Sequence, residues 1–188
     1  MPNNILRGAC IVVGEPTSGK SAVTQVFHSD GSHFPKSYLM TVGVELCTKT
    51  VNVPETNDAV ELFIYDSAGK ELFYDHVQKH WDHPSMVMVV YDVTSETSFN
   101  SCAKWLERVR SHNHDVSIPG VLVANKIDLD QRRVISPKSG KEFAESNGLE
   151  YFECSAKEMQ NVDQPFHYLA KQYYRLYQEK IEYFKSLA

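Results

Sequence analysis

Short apolar runs, each about the length of a strand, recur along the chain and are separated by longer amphipathic stretches. Ala9-Cys10-Ile11-Val12-Val13 is one such run, and residues 86–92, 120–125 and 150–155 are the next predicted strands. Uninterrupted apolar runs of this length suit strands buried on both faces, as in a parallel sheet. Residues 44–53 and 60–66 instead flank Pro54-Glu55-Thr56-Asn57-Asp58, a turn-forming segment, and predict an antiparallel pair. Helices are expected over residues 21–28, 71–81, 97–111 and 137–147, with a last one starting near Pro165. This alternation predicts an α/β fold whose ligand lies beyond the carboxyl ends of the parallel strands.

In the last helix, Phe166, Leu169, Ala170, Tyr173, Tyr177, Ile181 and Phe184 recur at three- and four-residue intervals. As far as Tyr173 the stripe is read as packing on the sheet. Past Tyr177, the residues Tyr183, Phe184 and Leu187 extend it, and either core packing or a partner contact would account for them.

Composition narrows the class. The 188 residues, 42% of them hydrophobic, are enough for one sizeable core, so a single domain over 1–188 with an extended C-terminal helix is expected. A net charge of −5 gives no electrostatic reason to bind nucleic acid or an anionic membrane. Met86-Val87-Met88-Val89-Val90-Tyr91 is too short to span a bilayer and no signal peptide opens the chain, so it is read as soluble and intracellular. Cys10, Cys47, Cys102 and Cys154 are widely spaced and read as reduced packing thiols. The eight histidines show no metal spacing, and Glu107, Arg108 and Arg110 read as a solvated helix face.

The sharpest chemistry lies in Gly14-Glu15-Pro16-Thr17-Ser18-Gly19-Lys20-Ser21, followed by Ala22, which fills every fixed position of the phosphate-loop pattern between a predicted strand and a predicted helix. Its glycines permit a turn whose N–H groups face one anion. Lys20 is placed to reach the β- and γ-phosphates, and the Ser21 hydroxyl to coordinate Mg²⁺. Asp66-Ser67-Ala68-Gly69 follows another strand, with Asp66 suited to the magnesium shell and the Gly69 N–H to the γ-phosphate. Asn125-Lys126-Ile127-Asp128 supplies a carboxylate whose acceptors match the two donors on guanine's Watson–Crick edge, which favours GTP over ATP. Asn125 can tie the loop together and the Lys126 stem can lie along the base. Cys154-Ser155-Ala156-Lys157 closes the same pocket, where a backbone N–H can reach the guanine oxygen.

These motifs and their order resemble the small GTPases of the Ras superfamily, and the Rab branch in particular. Tyr91-Asp92-Val93-Thr94-Ser95-Glu96-Thr97-Ser98-Phe99, Trp105-Leu106 and Thr41-Val42-Gly43-Val44-Glu45 are Rab-like. The resemblance implies a phosphate-loop GTPase fold: a six-stranded, mostly parallel sheet with one antiparallel edge strand and about five flanking helices. It also implies GTP/GDP and Mg²⁺ as ligands, with Thr41 beside Ser21 and Asp66 on the metal. Phe34 either stacks near guanine or anchors the core.

Three departures qualify it. Lys70 stands where the family has a water-orienting Gln, and an ammonium cannot accept the water's proton, so no residue is assigned as catalytic and hydrolysis is expected to be very slow. Pro16 removes one loop N–H. The last cysteine is Cys154 and residue 2 is Pro2, so no lipid anchor is expected. With Ser29-Asp30-Gly31-Ser32-His33-Phe34 and Phe166-His167-Tyr168-Leu169-Ala170-Lys171-Gln172, these departures resemble the Rab-like GTPase subunits of intraflagellar transport. That likeness implies other B-complex subunits as partners, a heterodimer with a β-sandwich subunit of the intraflagellar transport protein 25 type, and residence in the cytoplasm and cilium. A nucleotide-state switch is the preferred reading, a largely non-hydrolysing assembly subunit the alternative, and an ATP-using kinase a distant third.

Overall fold

The computed structural model describes residues 2–112 and 117–187; His114 and Ala188, which belong to the histidine and tail readings, lie outside it. Among the described residues, β1 (Asn4–Val13), β2 (Val44–Asn52), β3 (Asp58–Ser67), β4 (Met86–Asp92), β5 (Gly120–Asn125) and β6 (Glu150–Glu153) form one sheet. Its order is β2-β3-β1-β4-β5-β6, with only the β2–β3 pair antiparallel. The helices are α1 (Lys20–His28), α2 (Tyr74–Val77), α3 (Glu96–Asn100), α4 (Cys102–Arg110), α5 (Pro137–Ser146) and α6 (Gln164–Ser186).

Side-chain alternation along the central strands builds two apolar layers. Cys10, Val12, Met88 and Val90 face one way and pack with Val23, Phe27, Phe166 and Leu169 of α1 and α6. Ile11, Val13, Val87 and Val89 face the other and pack with Trp105, Leu106 and Val109 of α4 and Ala144 of α5. The carboxyl ends of β1, β3, β4 and β5 therefore share one edge, and the loops that follow them carry the candidate chemistry.

Three elements differ most from expectation, while β3 runs Asp58–Ser67 and β6 ends at Glu153 rather than at residue 155. β1 begins at Asn4 rather than Ala9, because its polar first half ladders onto Asp58–Glu61 of β3. The helix expected over residues 71–81 is only the single turn α2 between two 3₁₀ turns, Glu71–Phe73 and Gln78–His80. Val77 and Trp81 are fully buried but Leu72 is 84% exposed, so too little of that face is anchored to hold a short helix together. The helix expected over 97–111 divides at Ser101, where the Ser98 and Ser101 hydroxyls donate to the carbonyls of Ser95 and Ser98.

Candidate functional site

β1 ends at Val13 and the chain crosses the sheet edge through residues 14–19 into α1. Gly14 adopts φ 145°, and a Cβ there would stand 2.1 Å from the Val90 carbonyl oxygen, so the loop sits directly on the end of β4. Thr17 takes a left-handed φ of 63° and Gly19 one of 96°, and inside the loop the Ser18 N–H donates to the Glu15 carbonyl at 3.4 Å. The Lys20 ammonium donates to the carbonyls of Gly14 and Glu15, both at 2.9 Å. Burial outweighs the attraction of Asp66 and Glu15 and pulls its pKa down to about 8. This buried cation lines a cavity of about 320 Å³. Pro16, Thr17, Gly19, Ser21 and Ala22 form one wall, with Thr41, Gly69 and Lys70 also lining the space. Ser18, though buried, leaves its hydroxyl without a hydrogen-bond partner.

Three oxygen-bearing side chains converge at the start of α1. Ser21 Oγ donates to Asp66 Oδ2 at 2.5 Å and lies 3.0 Å from Thr41 Oγ1. Asp66 is 2% exposed and its Oδ1 has no hydrogen-bond partner. Burial raises its carboxyl to about 6 against the opposing pull of the Ser21 hydrogen bond and the Lys20 charge. An orphaned, reluctantly charged carboxylate beside two hydroxyls is a set of hard oxygen donors, and these residues fit Mg²⁺.

The Asn-Lys-x-Asp segment is knitted to the loop of residues 14–19 from the end of β5. Asn125 Nδ2 donates to the Ser18 carbonyl at 3.0 Å, and its Oδ1 accepts the Ala156 N–H at 3.2 Å. Lys126, in the left-handed region at φ 68°, donates to the Thr17 carbonyl at 2.7 Å. Asp128 Oδ1 accepts from Ser155 Oγ at 2.6 Å, and Lys157 Nζ stands 4.0 Å from its Oδ2. All these residues come together, although none of Asn125, Lys126 and Asp128 lines the phosphate-side cavity. Phe34 is half-buried against the α1–α6 layer, while its neighbours His33 and Pro35 line the cavity.

Gly69 approaches the phosphate loop so closely that a Cβ would fall 2.5 Å from the Gly14 oxygen and 2.6 Å from the Pro16 nitrogen. Lys70 follows it, exposed. Next in the chain, Glu71 accepts two bonds from Arg108, at 3.0 and 2.8 Å, and one from Lys104. Those partners hold its carboxyl down at about 2. Arg108 also lies over the Tyr74 ring, 3.9 Å from its centroid. Trp105 Nε1, from the same helix, donates to Glu15 of the phosphate loop at 3.2 Å. The solvated-face reading of Arg108 and Arg110 is therefore corrected: Arg108 bridges two elements, and Arg110 donates to the Asn147 carbonyl. Sequence reasoning missed these contacts because their partners are 33 or more positions apart.

A Gly-x-x-x-x-Gly-Lys-Ser loop, the Ser21–Thr41–Asp66 cluster and an Asn-Lys-x-Asp segment on one edge of a mostly parallel sheet are the arrangement of a phosphate-loop GTPase fold. The Ras family model matches residues 9–175, and the chain belongs to that family as a Rab-like small GTPase. It is 54% identical over 183 residues to intraflagellar transport protein 27 homolog of Homo sapiens, covering 97% of this chain and 98% of that protein. Intraflagellar transport protein 27 of Chlamydomonas reinhardtii is 40% identical over 185 residues, 96% of this chain and 91% of that protein. Ras-related protein RABE1e of Arabidopsis thaliana is 33% identical over 162 residues, 86% and 72% of the two chains. The first of these likenesses covers enough of the chain to run past residue 175, so α6 shares in it.

Proposed function

We propose that the chain is a guanine-nucleotide switch with slow intrinsic GTP hydrolysis, acting as a subunit of the intraflagellar transport B complex. The observation that carries the nucleotide reading is the Lys20 ammonium, 6% exposed, held on the Gly14 and Glu15 carbonyls at the wall of the cavity beside the loop of residues 14–19, where the phosphates of a nucleotide would meet its charge. Asp128, already fixed by Ser155, selects guanine through its acceptor-only carboxylate. Ser21, Thr41 and Asp66 would hold Mg²⁺, which when bound neutralises charge on the β- and γ-phosphate oxygens. Gly69 leaves room for its N–H to approach the γ-phosphate, and Lys70 offers the attacking water no acceptor.

A γ-phosphate that engages Thr41 and Gly69 orders both segments, and hydrolysis releases them. Tyr38, Leu39, Val42 and Leu72, all more than 60% exposed, then present a surface that depends on nucleotide state. The names of the relatives support a place in intraflagellar transport, and with that role goes residence in the cytoplasm and cilium. Among the described residues no helix is long and apolar enough to cross a membrane. Tyr183 and Phe184 near the end of α6 and Leu187 just past it, 62–67% exposed, suit the β-sandwich subunit of the intraflagellar transport protein 25 type.

The test is to purify the chain, identify its retained nucleotide and measure single-turnover hydrolysis. Guanine nucleotide and a rate at or below roughly 3–5 × 10⁻⁴ s⁻¹ are expected. Retained adenine nucleotide would contradict the reading. Tight GTP binding with no turnover would favour the largely non-hydrolysing assembly subunit.

A further inference from the structure

Asp92 closes β4, opposite Asn125 in the parallel ladder, and is 8% exposed. Its Oδ1 serves its own turn, accepting from the Thr94 N–H at 2.8 Å and the Thr94 hydroxyl at 2.7 Å. Its backbone N–H is held as well, donating to Ser98 Oγ at 3.0 Å. Capping of the turn is thereby complete through Oδ1 alone. The other carboxylate oxygen, Oδ2, accepts from Lys126 Nζ at 2.6 Å, across 34 positions of sequence.

Lys126 is an unusual residue to need such an anchor. Its backbone is in the left-handed region, which disfavours residues with a Cβ. Its ammonium spans from the base loop to the Thr17 carbonyl of the phosphate loop. A four-carbon stem with one neutral acceptor keeps much of its rotamer freedom, and that freedom would have to be lost when a base docks along it. A second, charged acceptor removes it in advance. Burial opposes the Asp92 charge, but the bonds from Lys126 and Thr94 outweigh burial and hold the carboxyl below the usual range, so it is ionised at neutral pH.

We propose that Asp92 is a positioning residue for guanine-nucleotide binding: it anchors the Lys126 ammonium beside the Thr17 carbonyl and so holds the Lys126 stem as a preformed wall for the base. The inference rests on the guanine-nucleotide reading of this site. Asp92 acts wholly through Lys126, so its effect disappears when the side chain at that position has no ammonium.

The test is a cycle of four chains, wild type, Asp92→Asn, Lys126→Met and the double variant, each loaded with N-methylanthraniloyl-GDP and Mg²⁺ and followed by stopped-flow release. Asparagine keeps the Oδ1 acceptor for Thr94 and replaces only the oxygen that faces Lys126. Asp92→Asn should speed release about tenfold when Lys126 is present, the worth of one charge-assisted hydrogen bond, and less than about twofold in the Lys126→Met background. Thr94→Val, which removes a bond to Oδ1 and leaves the Lys126 contact, should release GDP within about twofold of wild type. Equal acceleration by Asp92→Asn in both backgrounds, no acceleration in either, or loss of cooperative melting by Asp92→Asn would overturn the assignment. A wild-type chain that cannot retain labelled GDP would remove the nucleotide reading itself, whereas retention with an additive cycle would remove only the role of Asp92.

Discussion

Lys70 stands where the family resemblance leads to a glutamine, and it is exposed at the cavity wall beside Gly69. Its three donors can meet phosphate oxygens but cannot take up the water's proton. Lys70→Gln is therefore expected to raise single-turnover hydrolysis toward or above ~3–5 × 10⁻⁴ s⁻¹ without changing GDP affinity more than about threefold. An unchanged rate with GTP still bound would move the limitation to Pro16 or to the placement of Thr41. Asp66 gives the site a pH dependence. Burial raises its carboxyl from 3.8 to about 6, so protonation favours the fold, and that gain is lost as pH rises through this window. Mg²⁺ requires the deprotonated form and competes with the same proton. Its affinity should fall about tenfold per unit below about pH 6 and level off above it; a Mg²⁺ titration flat from about pH 5 to about pH 7.5 would contradict this.

Among the elements, β4 and β5 have the bounds expected of them because every residue in each is buried, which leaves an uninterrupted apolar run. The first half of β1 was not legible, since Asn4 and Arg7 are polar and pair with Asp58 and Glu61, more than fifty positions away. The motif residues were legible one motif at a time, but their mutual bonds were not. Asp92 and Lys126 each lay within a quoted segment, yet only the ladder between β4 and β5 brings them together. The segment after Gly69 is held to α4 by Glu71 and Arg108 rather than by its own helical bonds. Because Glu71 is half-exposed, that ion pair is worth little by itself, and the Arg108 stacking on Tyr74 adds to it. Arg108→Ala should cost about 1 kcal/mol and lower Tm by roughly 2–4 °C. Thermal melts of the two chains check this, and an unchanged Tm would mean that the contact contributes nothing to folding.

At the scale of the whole molecule, the sheet separates two surfaces. The nucleotide edge gathers the loops after β1, β3, β4 and β5, whereas α6 runs past the sheet with Tyr173 donating to the Arg7 carbonyl and Tyr174 to Asp58. Phe166 and Leu169 are fully buried, which agrees with the packing read from the stripe; Tyr177, Tyr183 and Phe184 are exposed, so the distal stripe is not core. Truncation after Tyr177 should leave guanine-nucleotide affinity within about twofold while weakening co-purification with the proposed β-sandwich subunit. A truncated chain that loses nucleotide would show instead that the distal helix supports the fold. The central claim, guanine recognition at a phosphate-loop site, is tested most directly by competition titration. Unlabelled GDP, GTP and ATP compete for the purified chain loaded with N-methylanthraniloyl-GDP in Mg²⁺. GDP and GTP should displace the label while ATP fails at roughly a thousandfold higher concentration, inside the roughly 10⁴–10⁵-fold discrimination that unpaired buried polar groups impose. Equal displacement by ATP and GTP would contradict it.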